Sequence, residues 1–277
     1  MITIQKSQLS VMNIQYRYFS LDKFLDDAVG NGVSNIELWG AMPFFNIEDM
    51  TYQEVKEVRH QIESRGLKLV CLTPEQCVYP VNLAAPSEAA RRRSLKFFED
   101  NIRAASELGT DKMLVTTGYG FFDESNHEEA WKWARDGIYD LAELAKIHGI
   151  TLALEVLRRD ESNLVYNLPT LSQMLDELKH DSVGGMIDTI PMALAGERPA
   201  DYLQALGERL VHVHFIDVAP RGHLAWGVGI LDMQGYLEEF SRYHYKGYLS
   251  LEITDGRYYM DPTQSVRQSV NALYKVL

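Results

Sequence analysis

Four residues each close a short apolar run, and together their types are those of a cation site. Thr151-Leu152-Ala153-Leu154 ends on Glu155, Gly185-Met186-Ile187 on Asp188, Val211-His212-Val213 on His214, and Tyr248-Leu249-Ser250-Leu251 on Glu252. Three carboxylates gathered at one place raise each other's pKa unless a positive charge lies between them. One imidazole nitrogen and three carboxylate oxygens suit a hard or borderline divalent ion such as Mn2+, Mg2+ or Co2+, and leave coordination positions for substrate oxygens. The only cysteines, Cys71 and Cys77, can assemble neither a thiolate zinc site nor a disulfide framework.

Such residues meet only if the elements beneath them are arranged to bring them together. Short β-rich runs alternate with longer amphipathic stretches from end to end, the pattern of parallel strands joined by helices. Strands are expected near residues 9–16, 35–38, 67–72, 112–116, 151–156, 184–188, 210–215 and 248–253. Helices are expected over 21–30, 52–65, 87–108, 128–148, 168–178, 233–243 and from Pro262 onward, with Gly66, Gly109 and Gly149 placed as left-handed caps. Between Asp188 and Leu210, Pro191 and Pro199 leave room only for a short helix starting near Pro199. Eight such units predict an α/β fold, a (β/α)8 barrel of one domain over 1–277, whose active site lies where the strands end. An open doubly wound sheet would bring a glycine-rich phosphate loop, and neither form of that motif occurs in a strand-to-helix turn; Gly118-Tyr119-Gly120 reads as a loop. His212 shares the alternation parity of His214 and reads as a histidine of the barrel interior.

The composition is that of an ordinary globular chain of 277 residues, 46% apolar and 24% charged, long enough to bury a large core. With 39 acidic and 27 basic residues the formal net charge is −12, which opposes nucleic-acid binding. The densest basic cluster, Arg91-Arg92-Arg93, falls within a helical pattern and reads as a solvated face. No stretch has the roughly 20 apolar residues of a membrane span, and the first residues lack the pattern of a signal peptide. A cytoplasmic protein without membrane or nucleic-acid partners is expected.

The sequence resembles the xylose-isomerase-like sugar epimerases and isomerases over nearly its whole length, with the ketose and fructoselysine 3-epimerases as the branch most alike. The matching stretches are Ile36-Glu37-Leu38-Trp39-Gly40, Leu72-Thr73-Pro74-Glu75 with Tyr79-Pro80 and Asn82, and Arg91-Arg92 with Ser94-Leu95. Further on come Leu154-Glu155-Val156-Leu157 with Glu161-Ser162-Asn163, Ile187-Asp188, His212-Val213-His214-Phe215-Ile216-Asp217, Gly227 with Gly229, and Leu251-Glu252. The resemblance implies that Glu155, Asp188, His214 and Glu252 ligate one divalent metal ion. It also implies that Glu155 and Glu252 exchange protons with the sugar. Glu161, Arg221, Trp39 and Glu75 become the expected substrate contacts, and a homo-oligomer, dimer or tetramer, the expected assembly.

Chemistry gives that pairing a reason. A ketose chelated through its carbonyl and neighbouring hydroxyl has an acidified α-proton and a stabilised enediolate, and epimerisation needs a base on one face and an acid on the other. The expected activity is therefore metal-dependent epimerisation at C3 of a ketose or ketosamine. Aldose–ketose isomerisation and a sugar-binding barrel without turnover are the alternatives. Pro191 stands where free-ketose 3-epimerases usually carry a histidine, which points towards a fructoselysine-like substrate. Phe44, Phe45, Tyr119, Phe121, Phe122 and Trp226, with Trp39, are candidates to wall a sugar pocket, although loop packing or a subunit interface is the readier account of any one of them. Arg158 and Arg159 are placed as partners of Asp160 or Glu161 rather than of a substrate acid.

Overall fold

The computed structural model of the chain describes residues 2–76, 81–123 and 126–277, so that Cys77 and the Tyr79-Pro80 pair lie outside the described residues. Eight parallel strands close on themselves: β1 (Leu9–Met12), β2 (Asn35–Gly40), β3 (Lys68–Pro74), β4 (Lys112–Val115), β5 (Thr151–Glu155), β6 (Val183–Asp188), β7 (Leu210–His214) and β10 (Leu249–Leu251). Each pairs with its sequence neighbour among the eight, and β1 pairs with β10 to complete the ring. A small antiparallel ladder of β8 (Asp217–Val218) and β9 (His223–Leu224) rises from the end of β7. The helices are α1 (Leu21–Gly30), α2 (Tyr52–Glu63), α3 (Glu88–Leu108), α4 (His127–His148), α5 (Leu168–Leu178), α6 (Thr189–Leu194), α7 (Pro199–Leu206), α8 (Met233–Arg242) and α9 (Pro262–Tyr274). Among the described residues no helix is long and apolar enough to cross a membrane.

Alternation along the strands sorts residues between two environments. Ile36, Leu38, Leu72, Leu152, Leu154, Ile187 and Val213 belong to the main apolar core that the helices cover. Residues of the opposite parity face the barrel axis. There Cys71, Leu114, Ala153 and Met186 form a separate buried cluster, a packed plug of the kind that fills such barrels. One alternation step further along their strands stand Thr73, Glu155 and Asp188, so the plug is the floor on which the polar site rests. Gly184 is required by close packing: a Cβ there would lie 2.4 Å from Val211 Cγ1 on β7.

The structure departs from the sequence expectations in a few places. β1 stops at Met12, and Ile14–Tyr16 form a 3-10 turn. α2 ends in regular form at Glu63, two residues before the expected end, and Gly66, left-handed at φ +70° as read, closes it through its amide to the Glu63 carbonyl at 2.9 Å and the Leu67 amide to the Ile62 carbonyl at 3.3 Å. Gly109 and Gly149 are left-handed C-caps, as read. Two helices, not one, join β6 to β7. α6 tolerates Pro191 because the residue sits in the first turn, where a backbone N–H has no intrahelical acceptor.

The first and last helices are tied through Asp27. Its carboxylate accepts from Lys23 Nζ at 2.6 Å, from Tyr16 Oη at 3.0 Å and from Thr263 Oγ1 on α9. Burial alone would raise the Asp27 pKa, and the bonds from Lys23, Thr263 and Tyr16 outweigh it, holding the carboxyl below its ordinary value. A carboxylate whose folded pKa is depressed stabilises the fold above its unfolded pKa, near ~4, and loses that contribution as pH falls through the folded value. Asp27→Asn is accordingly expected to lower stability at neutral pH by on the order of 1 kcal/mol. In urea unfolding curves the gap between the two proteins narrows below about pH 4; a gap unchanged from pH 7 to pH 3 would show that the charge is idle.

Candidate active site at the barrel mouth

The site is built from the barrel axis outward, beginning with a carboxylate in the middle of β2. Glu37 is fully buried and accepts from His212 Nε2 at 2.8 Å, from His214 Nε2 at 2.9 Å and from the Thr73 hydroxyl. Burial opposes its ionisation, but the two imidazoles overcome that, and its pKa lies well below the usual carboxylate range. With Nε2 engaged on Glu37, the His214 ring presents Nδ1 to the mouth. That nitrogen is buried, makes no hydrogen bond among the described residues, and lies 3.0 Å from Glu155 Oε1 and 3.2 Å from Glu252 Oε2. Aimed among carboxylates, it is placed to serve as a ligand atom when the ring is neutral, and the donor set fits a divalent cation.

Ligand atoms of Glu155, Asp188, His214 and Glu252 all lie within 4.8 Å of one another, so the four strand-end residues could hold one metal ion. Asp188 doubles as the N-cap of α6, its Oδ1 accepting from the Ile190 amide at 2.8 Å. Its Oδ2 lies 3.2 Å from His223 Nε2, which is also 3.3 Å from Glu252 Oε2. Burial pushes the Glu155 carboxyl up to about 8; His214 opposes this, and the charges of Glu252 and Asp188 add to it. Glu252 is buried as well, yet His214 and His223 draw it down to about 2. For His223, burial would lower the pKa, and Glu252 and Asp188 instead raise it to about 10. The cluster as a whole draws positive charge to itself.

His223 escaped the sequence reading because it ends no barrel strand. It stands on β9, in a hairpin organised by Asp217, whose carboxylate accepts from the amides of Val218, Gly227, Gly229 and Leu231 at 2.7–3.1 Å. Glu37 does leave a signal, a charge inside the apolar run Ile36-Glu37-Leu38, but mid-strand it lacks the strand-end position that marks the other acids.

The mouth opens into a cleft of about 710 Å³, and Trp39, Glu75, Glu161 and Arg221 all line it. Trp39 Nε1 donates to Glu75 Oε2 at 2.9 Å. Glu161 pairs with Arg158, and Arg221 Nη2 lies 2.6 Å from Asp160 Oδ1. Most of the aromatic candidates lie elsewhere. Phe45 and Trp226 are core residues, Trp226 tilted against Phe215 with ring centroids 4.5 Å apart and its Nε1 donating to the Phe215 carbonyl at 2.9 Å. Phe44 packs on Trp39, while Tyr119, Phe121 and Phe122 are exposed on a loop. Tyr18 and Tyr259 line the cleft instead.

Residues of two resembling motifs turn out to brace loops. Ser162 Oγ donates to the Gly118 carbonyl at 2.6 Å, and Asn163 Oδ1 accepts from the Gly120 amide at 2.9 Å. Asn82 Nδ2 donates to the Tyr119 carbonyl at 2.9 Å, and a side chain at Gly118, where φ is +73°, would collide with it.

The family described as xylose isomerase-like TIM barrel matches residues 25–276. Fructoselysine 3-epimerase of Shigella flexneri is 26% identical over 254 residues, 91% of each chain. Among solved structures, a 3-keto-D-glucoside 4-epimerase of E. coli superposes with a TM-score of 0.81 at 21% identity, covering 97% of this chain and 99% of the other. D-psicose 3-epimerase of Clostridium cellulolyticum H10, solved with D-tagatose, superposes with a TM-score of 0.82 at 15% identity over 97% and 98% of the two chains. The closed parallel barrel, the acidic and histidine cluster at its mouth and this match place the chain in the xylose isomerase-like TIM barrel family.

Proposed function

We propose that the chain is a divalent-cation-dependent epimerase acting at C3 of a ketose or ketosamine in the cytoplasm. The observation that carries this reading is the convergence of two glutamates, Glu155 from β5 and Glu252 just past β10, on His214 Nδ1 at 3.0 and 3.2 Å. Glu155, Asp188, His214 and Glu252 would hold the ion, with Mn2+, Mg2+ or Co2+ suited to the donor set. When bound, it polarises the substrate carbonyl and so acidifies the neighbouring C–H.

The chain's own groups do the rest. One of Glu155 and Glu252 takes the C3 proton and the other delivers a proton to the opposite face, which inverts the carbon. Glu75, steadied by Trp39, offers carboxylate oxygens to sugar hydroxyls, while Glu161 and Arg221 act from the rim. The similarity to a fructoselysine 3-epimerase over 91% of each chain supports a substrate longer than a bare ketohexose. A cleft of about 710 Å³ supports it too, since pockets of about 300–1,000 Å³ accommodate drug-sized ligands. Pro191, where free-ketose enzymes usually carry a histidine, lies buried in the first turn of α6 directly after Asp188 and offers no hydrogen-bonding ring.

Solvent deuterium tests the reaction. Enzyme supplied with Mn2+ and a panel of psicose, tagatose and fructoselysine is expected to wash label into C3, with the highest kcat/KM on fructoselysine. Label at C1 or C2 would replace the reading by an isomerase, and no label anywhere by a binding protein. Glu155→Gln and Glu252→Gln should each cut turnover by about 10²–10⁴-fold while leaving substrate affinity far less changed; turnover within a few-fold of wild type in both would remove them from the mechanism.

Asp188→Ala is expected to lose both the bound ion, measured by elemental analysis after desalting, and turnover. Glu37→Gln keeps all four ion-facing residues yet frees the imidazole of His214, so cation affinity should fall about 10–100-fold. The same change disrupts a buried charge pair, and a Tm lower by roughly 5–10 °C is expected. An unchanged affinity for Mn2+ by calorimetry would detach Glu37 from the site.

A further inference from the structure

Three arginines line the cleft, and two of them are already engaged by acids of the chain. Arg158 pairs with Glu161, and Arg221 pairs with Asp160. Arg17 differs. No carboxylate among the described residues lies within ion-pair distance of it, and its buried Nε, like that of Arg158, makes no hydrogen bond among them. Its guanidinium is instead held by aromatic faces, 4.4 Å from the Tyr259 ring centroid and 5.6 Å from that of Trp39. Arg17 follows the short turn after β1, on the face of the barrel where the strands end.

A guanidinium in this state is arranged for an outside partner. The rings fix its plane and shield it from water, which raises the worth of any charge that meets it. The planar fork matches a carboxylate through two parallel hydrogen bonds. The cleft is also polar in the electrostatic sense, with Glu155, Asp188 and Glu252 gathered at its depth and Arg17 as the unpaired cation on its wall. A substrate with a negative end would be repelled from the depth and drawn to Arg17, which orients the sugar end inward. Tyr18 and Met42 line the same cleft with exposed apolar surface, suited to an aliphatic spacer.

We infer that Arg17 is a specificity-determining residue that recognises a carboxylate on the part of the substrate beyond the reacting sugar. The occupant is a sugar adduct of an amino acid, or another carboxylated ketosamine. The inference rests on the sugar-epimerase reading of this cleft and specifies its substrate class.

The test is a binding measurement, so that it stands apart from turnover. Fructose adducts of ω-amino acids, from glycine to 6-aminohexanoate, are titrated calorimetrically into the Mn2+-loaded enzyme beside the matching carboxamides. The best carboxylate is expected to bind about 10- to 100-fold more tightly than its carboxamide, the worth of one charge-assisted pair. Arg17→Gln should collapse that ratio to near one, and Arg17→Lys, which keeps a cation without the planar fork, should retain part of it. Equal binding of acid and amide by wild type at every spacer length would overturn the inference. So would a ratio that survives Arg17→Gln, or an Arg17 dependence seen with ketohexose 6-phosphates and with no carboxylate. Loss of affinity for acid and amide alike in Arg17→Gln would reduce the residue to a structural part. Absence of C3 exchange with every sugar would sink the epimerase reading alone, leaving the ratio to judge Arg17.

Discussion

The arrangement of the mouth depends on one buried carboxylate. Glu37 lies inside the barrel with no exposure and joins β2 to β7 across the axis through His212 and His214. An unpaired charge at that depth costs several kcal/mol, so the two imidazoles and the Thr73 hydroxyl are conditions of its presence there. The contact also decides which nitrogen of His214 faces outward. If Nε2 were free the ring could turn; held as it is, Nδ1 is aimed among Glu155 and Glu252, and the three carboxylates gain a shared focus. Burial and orientation here are one fact seen from two sides.

Above this anchor the mouth is stiffened by bonds from loop to loop. Ser162 and Asn163, after β5, hold the backbone of the loop after β4, and Asn82, from the segment after β3, holds the same loop from its other side. Groups that must meet a changing charge work best when their positions are settled beforehand, and a network of this kind supplies that. It accounts for polar residues that match a family motif without entering the cleft.

How much of this could be read from the chain follows from the kind of signal each residue leaves. Glu155, Asp188, His214 and Glu252 were legible because strand alternation and the rule of strand ends are both local: an apolar run with a polar terminus states its own place. The eight strands were legible for the same reason. His223 was not, since its approach to Asp188 depends on a hairpin whose shape is set by Asp217 at a distance in sequence. Arg17 left no local signal either, because what distinguishes it is the acids that fail to reach it. Trp226 shows the opposite error: a large aromatic in a loop suggests a pocket wall, and packing against Phe215 made it core. α6 was hidden by Pro191, whose meaning changes with its position in a helix.

Asp217 gathers four backbone amides, spread from Val218 to Leu231, onto one carboxylate. The hairpin with Arg221 and His223 lies between them, so one carboxylate holds both arms of the segment in register, while Trp226 seats the returning arm in the core. The turn that joins β8 to β9 can therefore change while Asp217 keeps the arms aligned and the barrel strands stay undisturbed. Such a joint lets the rim of the mouth diversify by exchange of one short turn, with His223 kept at the carboxylates it meets.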